Sequence, residues 1–70
     1  MDRKKVKKAV RSFIKRNGLR YGQIMDVNGG LQFMQLTGHV NTYRLDKEIC
    51  SLGCHSSRLG NSICISEKGE

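Results

Sequence analysis

Between Arg3 and Asn17 the apolar residues Val6, Ala9, Val10, Phe13 and Ile14 follow the i, i+3, i+4, i+7, i+8 spacing of a single helix face. Asn17-Gly18 then supplies a strong stop. A second stripe, Leu45, Ile49 and Leu52 at i, i+4, i+7, predicts a helix from Val40 to Leu52. On that helix Val40, Tyr43, Arg44, Lys47 and Ser51 fall roughly opposite the apolar stripe. Gly53 sits one past the last periodic residue, where helices commonly end in a left-handed turn. Thr37-Gly38 provides a break ahead of it.

The stretch between these helices is harder to read. In Leu19–Val27, Tyr21, Ile24 and Met25 suit a short helix, whereas Leu19, Tyr21 and Gln23 could begin a strand. Asn28-Gly29-Gly30 is a turn, and Leu31–Leu36 is apolar enough to serve either element. An Asn-Gly pair between Gly22–Val27 and Leu31–Leu36 could close a hairpin. The preferred reading is a helix over 31–37, with Thr37-Gly38 as the turn into the next one. After Gly53 the chain turns polar, and Ile63 and Ile65 share a strand face. Residues 54–66 therefore read as a hairpin with its tip near Arg58-Leu-Gly-Asn61, followed by a polar tail, Ser66–Glu70. No stretch of sequence repeats another. The expected architecture is α+β but mainly α: three helices and a C-terminal β-hairpin in a single domain, 1–70.

Charge sharpens this picture. The 70 residues carry 13 Lys+Arg against 6 Asp+Glu, a net +7. Residues 1–20 hold Arg3, Lys4, Lys5, Lys7, Lys8, Arg11, Lys15, Arg16 and Arg20 against Asp2 alone, while the remainder is close to neutral. On the first helix Lys4, Lys7, Lys8, Arg11 and Lys15 gather within a band of about 100°. Like charges at i, i+4 repel by roughly 0.2–0.5 kcal/mol per pair, so a face built this way is easier to understand if it meets phosphates. The bland alternatives are a solvated surface or a helix lying on an anionic membrane. The membrane is disfavoured because the stripe has no Trp, no Leu and one aromatic residue.

The order of elements resembles the winged helix-turn-helix class of DNA-binding domains. A helix and a middle element lead into an outward-basic helix closed by Leu52-Gly53. A hairpin ending Ile63-Cys-Ile-Ser-Glu-Lys-Gly69 follows. The resemblance covers nearly the whole chain. It implies that Asn41, Tyr43, Arg44 and Lys47 face the major groove, where donors and positive charge can reach base edges. It places Arg58 near the tip of the wing, over a flanking minor groove or phosphate. Lys4, Lys7, Lys8, Arg11, Lys15 and His39 would hold phosphates. The expected function is thus a DNA-binding module, a small transcriptional regulator or accessory protein, with double-stranded DNA as partner and a homodimer left open. The alternative is a small basic interaction or inhibitor protein, with an α+β fold built on hairpins at 28–30 and 58–61 and room for a stabilising zinc.

Other chemistry is thin. Cys50, Cys54, His55 and Cys64 could in principle form a Cys₃His zinc site, but Cys54 and His55 are adjacent and would point to opposite faces of a strand. The expectation is no metal and no cofactor, with the cysteines as small hydrophobes. A Cys-His pair such as Cys54-His55 or Cys64-His39 lacks any marked orienting group or oxyanion site, and Gly29-Gly30 lacks a phosphate-loop pattern, so no enzyme is expected. An odd cysteine count fits a reducing compartment. No apolar run approaches the roughly 20 residues of a membrane span, and no secretory signal is evident. The expected location is cytoplasmic.

Overall fold

Two helices and four strands alternate in the computed structural model, which describes residues 2–68. The order is α1 (Arg3–Arg16), β1 (Gln23–Val27), β2 (Gly30–Met34), α2 (Thr42–Ile49), β3 (Cys54–Leu59) and β4 (Ser62–Glu67), with a 3₁₀ turn, Cys50–Leu52, continuing α2. The last two residues of the expected polar tail lie outside the described residues. All four strands form one antiparallel sheet in the order β1-β2-β4-β3. Helix and strand contents are about equal. The mainly-α, three-helix expectation is therefore corrected: this is a small α+β fold with two helices.

The correction turns on residues 30–37. Leu31 and Phe33 alternate onto one face as strand residues and both are fully buried. Their partners are remote in sequence: Leu31 lies opposite Ile65 and Phe33 opposite Ile63. As a two-turn helix the segment would give up those pairings. Gly30 belongs to the same solution, because a Cβ there would run into the Ile65 carbonyl. The hairpins at 28–30 and 58–61 are both present. The second is not a wing standing clear of the domain, since β4 sits between β2 and β3 inside the sheet.

Most side chains on one face of the sheet go to the core. Register places Asp26, Leu31, Ile65 and Ser56 in one cross-strand row, and Ile24, Phe33, Ile63 and Arg58 in the next. Both helices pack against this face. Val6, Val10, Phe13 and Ile14 of α1 join Leu45 and Ile49 of α2 in a single apolar cluster with Leu31, Phe33, Ile63 and Ile65. The opposite sheet face carries Met25, Gln32, Cys64 and Ser57, then Val27, Gly30, Ser66 and His55, with no Asp, Glu, Lys or Arg in either row.

The helix ends follow local chemistry. Asp2 caps α1, accepting the Lys5 N–H at 3.2 Å. Asn41 caps α2 in the same way, accepting the Arg44 N–H at 3.2 Å. The second helix thus begins at Thr42, two residues later than the periodicity predicts. Val40 is not on an outward face but 3% exposed, in the core cluster with Leu45. A buried residue before the cap and another at the fourth helical position form a hydrophobic staple, which fixes how the chain enters the helix. Gly53 ends the 3₁₀ turn in the left-handed region (φ 74°), as its position predicts.

Candidate functional site

The strongest concentration of chemistry lies along the flank of α1 that faces β1. The core stripe pins one side of the helix, and 100° steps carry Lys4, Lys8, Arg11 and Lys15 onto the exposed side, with Lys7 half-buried beside β1. Together with Ser12 and Tyr21 they line a groove of about 690 Å³. A shallower recess of about 250 Å³ continues it past Arg11, Ile14, Lys15, Leu19, Arg20 and Tyr21. Tyr21, partly buried, belongs to both. Its ring meets that of Phe33 edge-on, with centroids 5.3 Å apart and planes at 78°, so the core holds it in place.

The charge in this groove is largely uncompensated. Asp26 lies 3.5 Å from the Arg3 guanidinium and 3.7 Å from the Lys7 ammonium, neutralising the end nearest the start of α1. Glu48 pairs with Arg16 on the other side of the helix, towards α2. Asp46 accepts from the Ser56 N–H at 2.5 Å and its hydroxyl at 2.6 Å. Among the described residues, Lys4, Lys8, Arg11 and Lys15 form no ion pair with an acid. Two i, i+4 repulsions, Lys4 with Lys8 and Arg11 with Lys15, therefore stand without compensation.

The expected base-reading residues are dispersed over α2 with differing commitments. The Asn41 carboxamide oxygen is engaged in the helix cap. Tyr43 is 68% exposed, and the Lys47 ammonium lies 4.7 Å from its ring centroid. Arg44 is exposed. Tyr43 and Lys47 line a separate recess with Asp46, Cys50, His55 and Lys68, beside β3 and apart from the α1 groove. Arg58 donates to His39 Nδ1, so these two expected phosphate contacts do meet, at the end of β3.

The structure does not bring Cys50, Cys54, His55 and Cys64 to one point. Cys54 is buried under the helices, while Cys64 and His55 lie on the opposite sheet face. Burial, foremost, pushes the Cys54 thiol above its ordinary pKa and so disfavours the thiolate a metal needs. Cys50 is exposed at the end of α2, and Lys68 Nζ lies 2.9 Å from its sulfur, which holds that ammonium above its usual value. Among the described residues no group of three potential metal ligands assembles, and no helix is long and apolar enough to cross a membrane.

Sequence reasoning missed Tyr21, Arg20 and Asp26. Local patterning alone reads Tyr21 as an apolar position, although an Arg-Tyr pair just after a basic helix is itself a signal for a stacking surface beside positive charge. No family model matches the chain, and neither curated proteins nor solved structures show significant similarity to it.

Proposed function

We propose that the chain is a small accessory nucleic-acid-binding module that takes the DNA backbone along the α1 flank. The observation that carries this reading is the groove itself: Lys4, Lys8, Arg11 and Lys15 line one open channel, and none is paired with an acid among the described residues. Clustering like charges on one helix face costs a small domain stability, and a bound polyanion would offset that cost. Tyr43 and Lys47 line a recess beside β3, at the opposite edge of the sheet from this flank, and are not part of the proposed surface. Three free cysteines suit a reducing, cytoplasmic setting.

A salt titration of binding to random-sequence duplex DNA tests this. Four phosphate contacts give a log–log slope of about −3.6, so affinity should fall about a hundredfold between 50 and 200 mM salt. Reversing Lys4, Lys8 and Lys15 to Glu should weaken binding about equally for all sequences. Undetectable binding of duplex and single-stranded nucleic acid alike at low salt ends the proposal.

The uncharged sheet face favours a second reading, a protein-interaction module. Met25 is 43% exposed and Leu59 is 63% exposed on the strands bordering that face. Charged substitutions at Met25 and Leu59 separate the two, since they should leave DNA affinity unchanged while removing any protein partner that docks there.

A further inference from the structure

Inside the basic groove lie apolar groups that phosphate binding does not use. Ile14, Leu19 and Tyr21 line the same recess as Arg11, Lys15 and Arg20, so apolar and cationic groups share it. A groove meant only for phosphates has no need of an aromatic ring braced against the core. A duplex cannot exploit that ring, because its bases are stacked inside the helix and present only their edges. An unpaired base can lay its face on it, and every base has such a face. The groove is also directional. Asp26, held by Arg3 and Lys7, caps one end with an acid, whereas the Arg20 end is cationic and open. On α1 the cationic wall runs from Lys4 to Lys15, about 16 Å of helical rise, and so spans a few nucleotides of an extended strand.

We propose that this groove takes a single strand of nucleic acid, with one base stacked on Tyr21 and the neighbouring phosphates on Arg11, Lys15 and Arg20. The proposal rests on the nucleic-acid reading of the α1 flank and specifies the form of its ligand. The shared chemistry is an unpaired base between two phosphates, which DNA and RNA both offer.

The experiment compares four ligands of about twelve nucleotides, within the span of known single-strand sites, at low salt: oligodeoxyuridylate, oligouridylate, an abasic strand with the same phosphates, and a duplex. A base stacked on an aromatic side chain is worth about 1–3 kcal/mol, so at least one base-bearing strand should bind about 5- to 150-fold more tightly than the abasic strand. Whichever of the two binds better identifies the sugar the groove accepts. Tyr21→Phe should keep this advantage and Tyr21→Leu should erase it, with melting curves checking both folds. If Tyr21→Leu fails to fold, the abasic comparison on the unaltered chain still decides. Equal affinity for abasic and base-bearing strands, or binding of the duplex alone, overturns the stacking proposal and leaves the polyanion reading standing. No binding of any of the four removes both.

Discussion

The chain is two αββ units, and their helices meet the outermost strands in different ways. α1-β1-β2 and α2-β3-β4 repeat the same order of elements and join antiparallel along β2 and β4. Asp26 of β1 and Ser56 of β3 occupy the two ends of one cross-strand row. In the second unit the helix supplies the acid: Asp46 takes both the Ser56 N–H and hydroxyl and clips α2 to β3, beside the recess lined by Tyr43, Lys47 and His55. In the first unit the strand supplies the acid, Asp26, and the helix supplies an excess of bases. Arg3 and Lys7 satisfy that acid, and the rest of the flank stays open as a cationic groove. One topology thus yields a flank clipped between helix and strand or one left as a cationic groove, according to which element carries the carboxylate and how many cations remain. No sequence repeat signals this, because the two units share a pattern of elements and no common residues at those positions.

The largest effect should come from the core the two units share. Leu45 is fully buried, so Leu45→Ala should cost about 2–5 kcal/mol. Because α1 and α2 sit on one apolar cluster, thermal unfolding followed by far-UV circular dichroism and by tyrosine absorbance should move together. Two separate transitions would break the view of two units on a single core.

Next comes the polar clip. Asp46→Ala leaves the part-buried Ser56 N–H and hydroxyl without this acceptor, and a cost of about 1–3 kcal/mol is expected from denaturant melts. The corresponding change in the first unit, Asp26→Ala, removes an exposed pairing and should cost about 1 kcal/mol or less. It should also raise affinity for polyanions by removing a negative charge and freeing Lys7, while Arg3 stays hydrogen-bonded to the Gly30 and Val27 carbonyls. Similar losses of stability at both positions would show that the two flanks do not differ as described.

A smaller effect distinguishes the outward faces of the helices. Arg44→Ala should change stability by about 0.5 kcal/mol or less, since its side chain is exposed while its N–H alone serves the cap. Its effect on non-specific DNA affinity should fall well below that of Arg11→Ala in the groove. An unfolded Arg44→Ala variant would mean that α2 faces the other way. The mildest test leaves the sequence intact: a thiol reagent should modify Cys50 first and Cys54 only as the domain opens, followed by mass spectrometry of the labelled peptides.

Local physics made several parts of this protein legible in its sequence. The 3.6-residue spacing of Val6, Val10, Phe13 and Ile14 specifies both α1 and the side it buries, and therefore also where its lysines must emerge. Leu45 and Ile49 do the same for α2, and Gly53 marks where the second helical stretch stops. The turn and alternation around Ile63 and Ile65 mark the last hairpin. What tertiary structure alone decided was the state of residues 30–37 and the company that Tyr21 keeps. Leu31-Gln-Phe-Met is apolar at either period, so its strand state follows from pairing with Ile63 and Ile65, 30 residues or more away, which no local window can contain. Tyr21 comes to line a basic groove only because β1 and β2 bring Phe33 against its ring while α1 packs alongside. Likewise the commitment of Asp46 to Ser56, and the absence of such a clip over most of the α1 flank, depend on a sheet register that joins both hairpins. Periodicity is a property of neighbours along the chain, whereas register is set by burying two remote apolar pairs at once.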